Sequence, residues 1–137
     1  MSSEEKFNWC EYYNFADSFS GSDNPAELRS GISRFYYSAF CICRDYIIEH
    51  RLWGNDKELE EIMASKSPKV HEKTYEIFYN NRFLNRQRRG RKIARLLSDL
   101  RDKRNDADYK SEKYNVKHSY AFVKARTKKL FDEFKKL

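Results

Sequence analysis

The chain has 137 residues, enough for one domain with its own core and short for two. Lys and Arg number 28 against 21 Asp and Glu, a formal net charge of +7, and no stretch approaches the roughly 18 apolar residues that a membrane span needs. Four Gly, two Pro and very little Val among many good helix formers exclude a β-rich reading and favour an all-α domain, with ten Tyr, ten Phe and two Trp to supply the core.

The opening "MSSEEKFNWCEYYNF" is polar and acidic, without the basic start and apolar run of a signal peptide. A first helix is expected over 3–19, capped by Ser2 or Ser3 with Glu close behind. "SGSDNP" reads as a turn, with Pro25 opening the next helix. That helix, "PAELRSGISRFYYSAFCICRDYIIEHRLW", is long. Ile32, Tyr36, Ala39, Cys43 and Ile47 share one of its faces, which Tyr37 and Phe40 widen. "GNDKELEEIMASKS" is a turn plus a short, weaker helical piece, and "SPKVHEKTYEIFYNNRF" restarts after Pro68. "RQRRGRKIARLLSDLRDKRNDAD" is another long helix after a loop around 86–90. "NVKHSYAFVKARTKKLFDEFKKL" closes the chain, with Tyr120, Val123, Leu130 and Phe134 facing inward. The expected fold is an antiparallel bundle of four to five helices in a single domain.

Cys41 and Cys43 are two apart and point to different sides of a helix, so they are poorly placed to bridge. With Cys10 they match no metal-ligand spacing, and His50, His71 and His118 are scattered. A reduced, cytoplasmic protein without metal or cofactor is expected.

The positive charge is concentrated. Residues 82–104 hold ten cations against Asp99 and Asp102, a net of +8, so the rest of the chain sums to −1. Within this segment Arg86, Arg88, Arg89, Arg91, Lys92 and Arg95 are candidates for tracking the phosphates of RNA, and Gly90 is expected to let the backbone approach a ligand. The alternatives are a solvated face or a dock for an acidic protein.

The segment runs into "LRDKRNDADY". Ile93, Leu97, Leu100, Arg104 and Ala107 form one helical stripe, so Arg104 falls on a core position. A buried Arg needs a partner, and Asp108 lies one turn on. Periodicity alone fits a structural Arg–Asp pair, or a guanidinium held rigidly for a phosphate.

Three stretches together carry a family likeness. "LRSGISRFYYSAFCICRDYI", "KVHEK" and "LRDKRNDADY" resemble, in order, the second helix, the middle-helix start with its common His, and the closing Ala-Asp-Tyr motif of HEPN domains. These are small prokaryotic helical bundles often encoded beside nucleotidyltransferases. The resemblance covers about 28–109. It implies a homodimer with two motifs facing across a cleft, and in the ribonuclease branch a metal-independent cleavage: a base takes the 2′-OH proton while an Arg stabilises the phosphorane. Arg104 and Asn105 match that motif. Tyr109 stands where its His would be, and a phenol with a pKa near 10 is a poor base.

Two readings follow from the resemblance. In the first, the chain is an RNA-targeting effector of a toxin–antitoxin or phage-defence system and a metal-independent endoribonuclease. Arg104 then binds the scissile phosphate, Asn105 and Asp108 orient groups, and Tyr109 hydrogen-bonds the substrate. Arg34 and Tyr37 support the pocket, although Arg34 equally fits a plain ion pair with Asp108. In the second, it is a non-catalytic nucleotide- or RNA-binding module that pairs with a nucleotidyltransferase, an antitoxin or another effector. Tyr109 would then be a residue a nucleotidyltransferase modifies. His71 reads as a polar residue near a helix start, His118 as a base supplied across a dimer, and Phe131 and Phe134 as packing residues.

Overall fold

A computed structural model describes residues 6–137. The described chain is all helical: α1 (Cys10–Asp17), α2 (Pro25–His50), α3 (Lys57–Ala64), α4 (Lys69–Asn80), α5 (Arg89–Tyr109) and α6 (Val116–Phe134). The count is six rather than four or five because the short piece over 57–64 is a helix of its own. It is capped by Asp56, whose carboxylate accepts from Leu59 N–H at 3.0 Å.

Two helix ends differ from expectation. α1 begins at Cys10, and the expected Ser2 or Ser3 cap lies outside the described residues. Asn8 Oδ1 accepts from Cys10 N–H at 3.0 Å, a local turn that competes with helix upstream. Trp9 Nε1 donates to Asp45 Oδ2 at 2.6 Å, which pins this end to the middle of the chain. α2 starts as its sequence predicts, with Asn24 accepting from Ala26 N–H and Pro25 in the first turn. It stops at His50, short of Trp53, because Arg51 turns left-handed (φ 49°) and caps the last carbonyls.

The longest helix, α2, is central. Side-chain contacts fix the directions. Ala16 lies opposite Gly31, Arg104 opposite Tyr36, and Arg29 opposite Lys110, so α1 and α5 run antiparallel to α2. Tyr46 meets both Phe78 and Phe134, and α4 and α6 run parallel to it. The expected stripe of α2 is buried in full: Ile32, Tyr36, Ala39, Cys43 and Ile47 all face the core. Cys41 and Cys43 are buried free thiols and Cys10 is exposed. Gly31 is required where it stands, because a Cβ there would lie 2.7 Å from the ring of Tyr120.

Asn85 joins the ends of α4 and α5. Its amide nitrogen donates to the carbonyls of Tyr79 and Asn81 at 2.9 Å, and its Oδ1 accepts from Arg91 N–H at 2.8 Å. One side chain thus satisfies orphan carbonyls at one helix end and an orphan N–H at the next helix start. Arg29 closes the other end of α5, donating to the carbonyl of Lys110 at 2.7 Å while lying over the Tyr114 ring. No helix among the described residues is long and apolar enough to cross a membrane.

Candidate functional site

Arg104 is held where the stripes of α2 and α5 meet. Its side chain is 10% exposed, and Nη1 lies 3.5 Å from Asp108 Oδ2, one turn on. The guanidinium lies over two rings of α2, 5.2 Å from the Tyr36 centroid and 5.5 Å from that of Tyr37. Such a face-on cation keeps its charge balanced by ring quadrupoles as well as by a carboxylate. Nε is buried with no hydrogen-bond partner. Asp108 also accepts a long hydrogen bond from Ser33 Oγ, at 3.4 Å.

Behind Tyr36 lies His71. The Tyr36 hydroxyl and His71 Nδ1 are 2.5 Å apart, and the imidazole stacks on Phe40 with centroids 4.0 Å apart. Burial lowers the His71 pKa to about 4, and the positive charges of Arg101, Arg104 and Arg44 push the same way. Burial drives the Tyr36 phenol well above its ordinary value. At neutral pH both groups are therefore uncharged, and the pair is one hydrogen bond between neutral partners. Among the described residues no cluster of His, Cys, Asp or Glu is arranged to hold a metal ion.

The residues singled out in the sequence separate into two groups here. Arg104, Asp108, Tyr37 and Arg34 come together. Arg34 lies over Tyr37 at 5.4 Å and over Tyr12 at 4.9 Å, so Tyr37 carries a guanidinium from each helix. Arg34, Ser33 and Asp108 line an open groove of about 500 Å³ floored by Phe15 and Phe19. Arg34 makes no ion pair with Asp108 among the described residues, and aromatic stacking takes that place. Asn105 and Tyr109 are turned to solvent, Tyr109 at 74% exposure as the last residue of α5, with no hydrogen bond to Arg104 among the described residues. His118 sits at the start of α6, where its backbone N–H donates to the Asn115 cap. Phe131 and Phe134 pack on Tyr13 and Tyr46.

The basic segment occupies the other end of α5. Arg86, Arg88, Arg91, Lys92 and Arg95 are exposed. Arg89 instead turns inward, 3.6 Å from Glu133 on α6. Arg91 is thirteen positions from Arg104, about 20 Å of helix, and Arg95, the nearest of these cations, is nine positions away, about 14 Å, so the two groups adjoin in sequence without touching in space. Gly90 serves packing rather than ligand approach. It is buried, and a Cβ there would collide with the Phe78 carbonyl oxygen and lie 2.9 Å from Asn85 Oδ1.

Tyr36, His71 and Arg101 were not legible as site residues. Tyr36 reads as one more core aromatic, and His71 as an ordinary polar residue of a first helical turn. The available signal was Arg104 itself. A cation on a core stripe calls for an aromatic opposite, and only the pairing of α2 with α5 identifies it as Tyr36. No family model matches this chain, and neither a curated protein nor a solved structure is similar enough to match it.

Proposed function

We propose that this chain is an RNA-targeting helical domain of HEPN type, and that its basic segment holds the strand. The observation that carries the reading is the surface around the α4–α5 connection. From Ile77 to Ser98 the chain has no acidic residue, and besides Arg82 five exposed cations of that stretch, Arg86, Arg88, Arg91, Lys92 and Arg95, share the connection and the first half of α5. Among them Phe83 is 66% exposed with the Arg86 guanidinium 5.1 Å over its ring. An exposed aromatic among cations outside any ion pair matches what RNA offers, phosphates and base faces.

The test is fluorescence anisotropy of labelled RNA against salt. Neutralising five phosphates of a single strand gives a slope of log K on log salt of about −3.5. Replacing Arg88 and Lys92 by Glu should remove binding at moderate salt. RNA affinity that is absent, or indifferent to salt and to these changes, rejects the proposal.

A second reading, metal-independent cleavage by a homodimer, is favoured by one observation. The groove beside Asp108 and Arg34 is open, and Arg104, whose Nε is buried without a partner, lies 3.5 Å from the Asp108 carboxylate that lines it. Here Arg104, which reaches the groove only through its contact with Asp108, is the phosphate ligand and Asp108 its positioning residue, while Asn105 and Tyr109 are exposed for a partner copy or a modifying nucleotidyltransferase. Incubation of purified protein with RNA in EDTA, beside Arg104→Ala, separates the readings. Cleavage lost in the variant favours the nuclease. Binding without cleavage favours the module that pairs with another effector or antitoxin.

A further inference from the structure

α4 and α5 run antiparallel, and their shared outer face carries a second feature beyond the Phe83 end. Tyr75 and Tyr79, both half-buried against the core, stand one turn apart on α4, with rings 5.7 Å between centroids and 24° from parallel. The Arg91 guanidinium of α5 lies 5.2 Å from the Tyr79 ring. Further along, Tyr75, His71, Ser98 and Arg101 line a cavity of about 120 Å³. At a tenth of that volume per water, this is room for several waters or one phosphate group. Arg101 Nε is buried there with no hydrogen-bond partner, and neither Arg91 nor Arg101 is in an ion pair among the described residues. Glu72, on the exposed rim, is the one acid lining the cavity. Burial is the main cause of the lowered His71 pKa, and the nearby charge of Arg101 adds to it.

We infer that this face is a single-strand track, in which Tyr75 and Tyr79 stack bases while Arg91 and Arg101 bind the flanking phosphates. The inference rests on the RNA-targeting reading and names the form of RNA. Base faces are available only where a strand is unpaired, whereas a duplex offers a protein its phosphates and groove edges. Ring positions four residues apart on a helix repeat about every 6 Å, against about 3.4 Å per nucleotide in a stacked strand, which suits bases drawn apart. Arg91 moves from ring to phosphate as a base takes its place over Tyr79. Its side chain is exposed and held by no carboxylate, so only its contact with the Tyr79 ring opposes the move.

The experiment compares a short oligouridylate with a perfectly paired RNA duplex, on the full chain at one salt concentration. The single strand should bind at least tenfold more tightly. Tyr79→Leu should weaken it about tenfold, the size of one lost base stack, and leave the salt slope unchanged. Tyr79→Phe should restore affinity, which separates stacking from a folding defect. Arg101→Gln should reduce the salt slope by about 0.7. Equal affinity for duplex and single strand, or a Tyr79→Leu protein that binds as the parent does, overturns the track and leaves the RNA-targeting reading standing. Failure of both RNAs to bind overturns that reading and the track with it.

Discussion

The guanidinium of Arg104 lies face-on to the ring of Tyr36, 5.2 Å from its centroid, at the seam between the two longest helices. This contact has more energetic weight than the ion pair beside it. The Arg104–Asp108 separation is 3.5 Å and the Asp108 side chain is 30% exposed, so solvent screens that pair to below about 1 kcal/mol. The stacked, buried stem and head of Arg104 fill core volume. Arg104→Ala should therefore destabilise by about 2–3 kcal/mol, and Asp108→Ala by less than about 1 kcal/mol. Arg104→Lys should fall between, since an ammonium has no planar face to pack on a ring. Urea denaturation of the three variants gives the ordering. A larger loss for Asp108→Ala than for Arg104→Ala would show that the ion pair, and not the stacking, holds this seam.

Gly90 sits against backbone rather than against a flexible side chain. The Cβ of an alanine there meets the Phe78 carbonyl oxygen and Asn85 Oδ1, both already fixed by the junction that Asn85 makes between α4 and α5. Overpacking of this kind costs about 1–3 kcal/mol, and the helix propensity gained by Gly→Ala offsets at most about 1 kcal/mol. Gly90→Ala should lower the melting temperature by several degrees, read by circular dichroism. An unchanged or raised melting temperature would mean that the junction has slack and that Gly90 is not there for packing.

His71 gives the fold an acid sensitivity. Its pKa falls from 6.5 to about 4 on folding, so between these values the unfolded chain binds a proton that the native chain does not. Stability then rises with pH across that window. The contribution is complete above about 6.5 and is lost as the pH falls towards 4. Between pH 7 and 5, where few carboxylates titrate, His71→Gln should be flatter in stability against pH than the parent. The Cε1 proton of His71 should hold its neutral chemical shift through pH 5.5. An imidazole that titrates near 6.5 would place His71 in water, outside the stack on Phe40.

Much of this architecture is legible in the residues. The α2 stripe of Ile32, Tyr36, Ala39, Cys43 and Ile47 and the α5 stripe of Ile93, Leu97, Leu100, Arg104 and Ala107 are buried as their spacing predicts. α2 opens at Pro25, where the turn residues predicted it. The misread ends have nonlocal causes or hidden local ones. α1 begins late, where a contact spanning 36 residues ties Trp9 to Asp45, and α2 ends early at a left-handed Arg51 that no Gly or Asn announces. In the candidate site, Arg104 and Asp108 were legible because one helical turn joins them. His71 and Arg101 were not, because they belong to different helices.

By itself the sequence determined the all-helical class, the inward face of each long helix, and the concentration of positive charge before Arg104. These are local properties, set by a 3.6-residue period and by composition. Tertiary structure alone decided which faces meet: Tyr36 with Arg104 and His71, Tyr79 with Arg91, and Gly90 with the Phe78 carbonyl. Periodicity fixes which way a side chain points around its own axis. The partner it finds there depends on how helices distant in sequence pack, through interlocking side chains that no local pattern encodes.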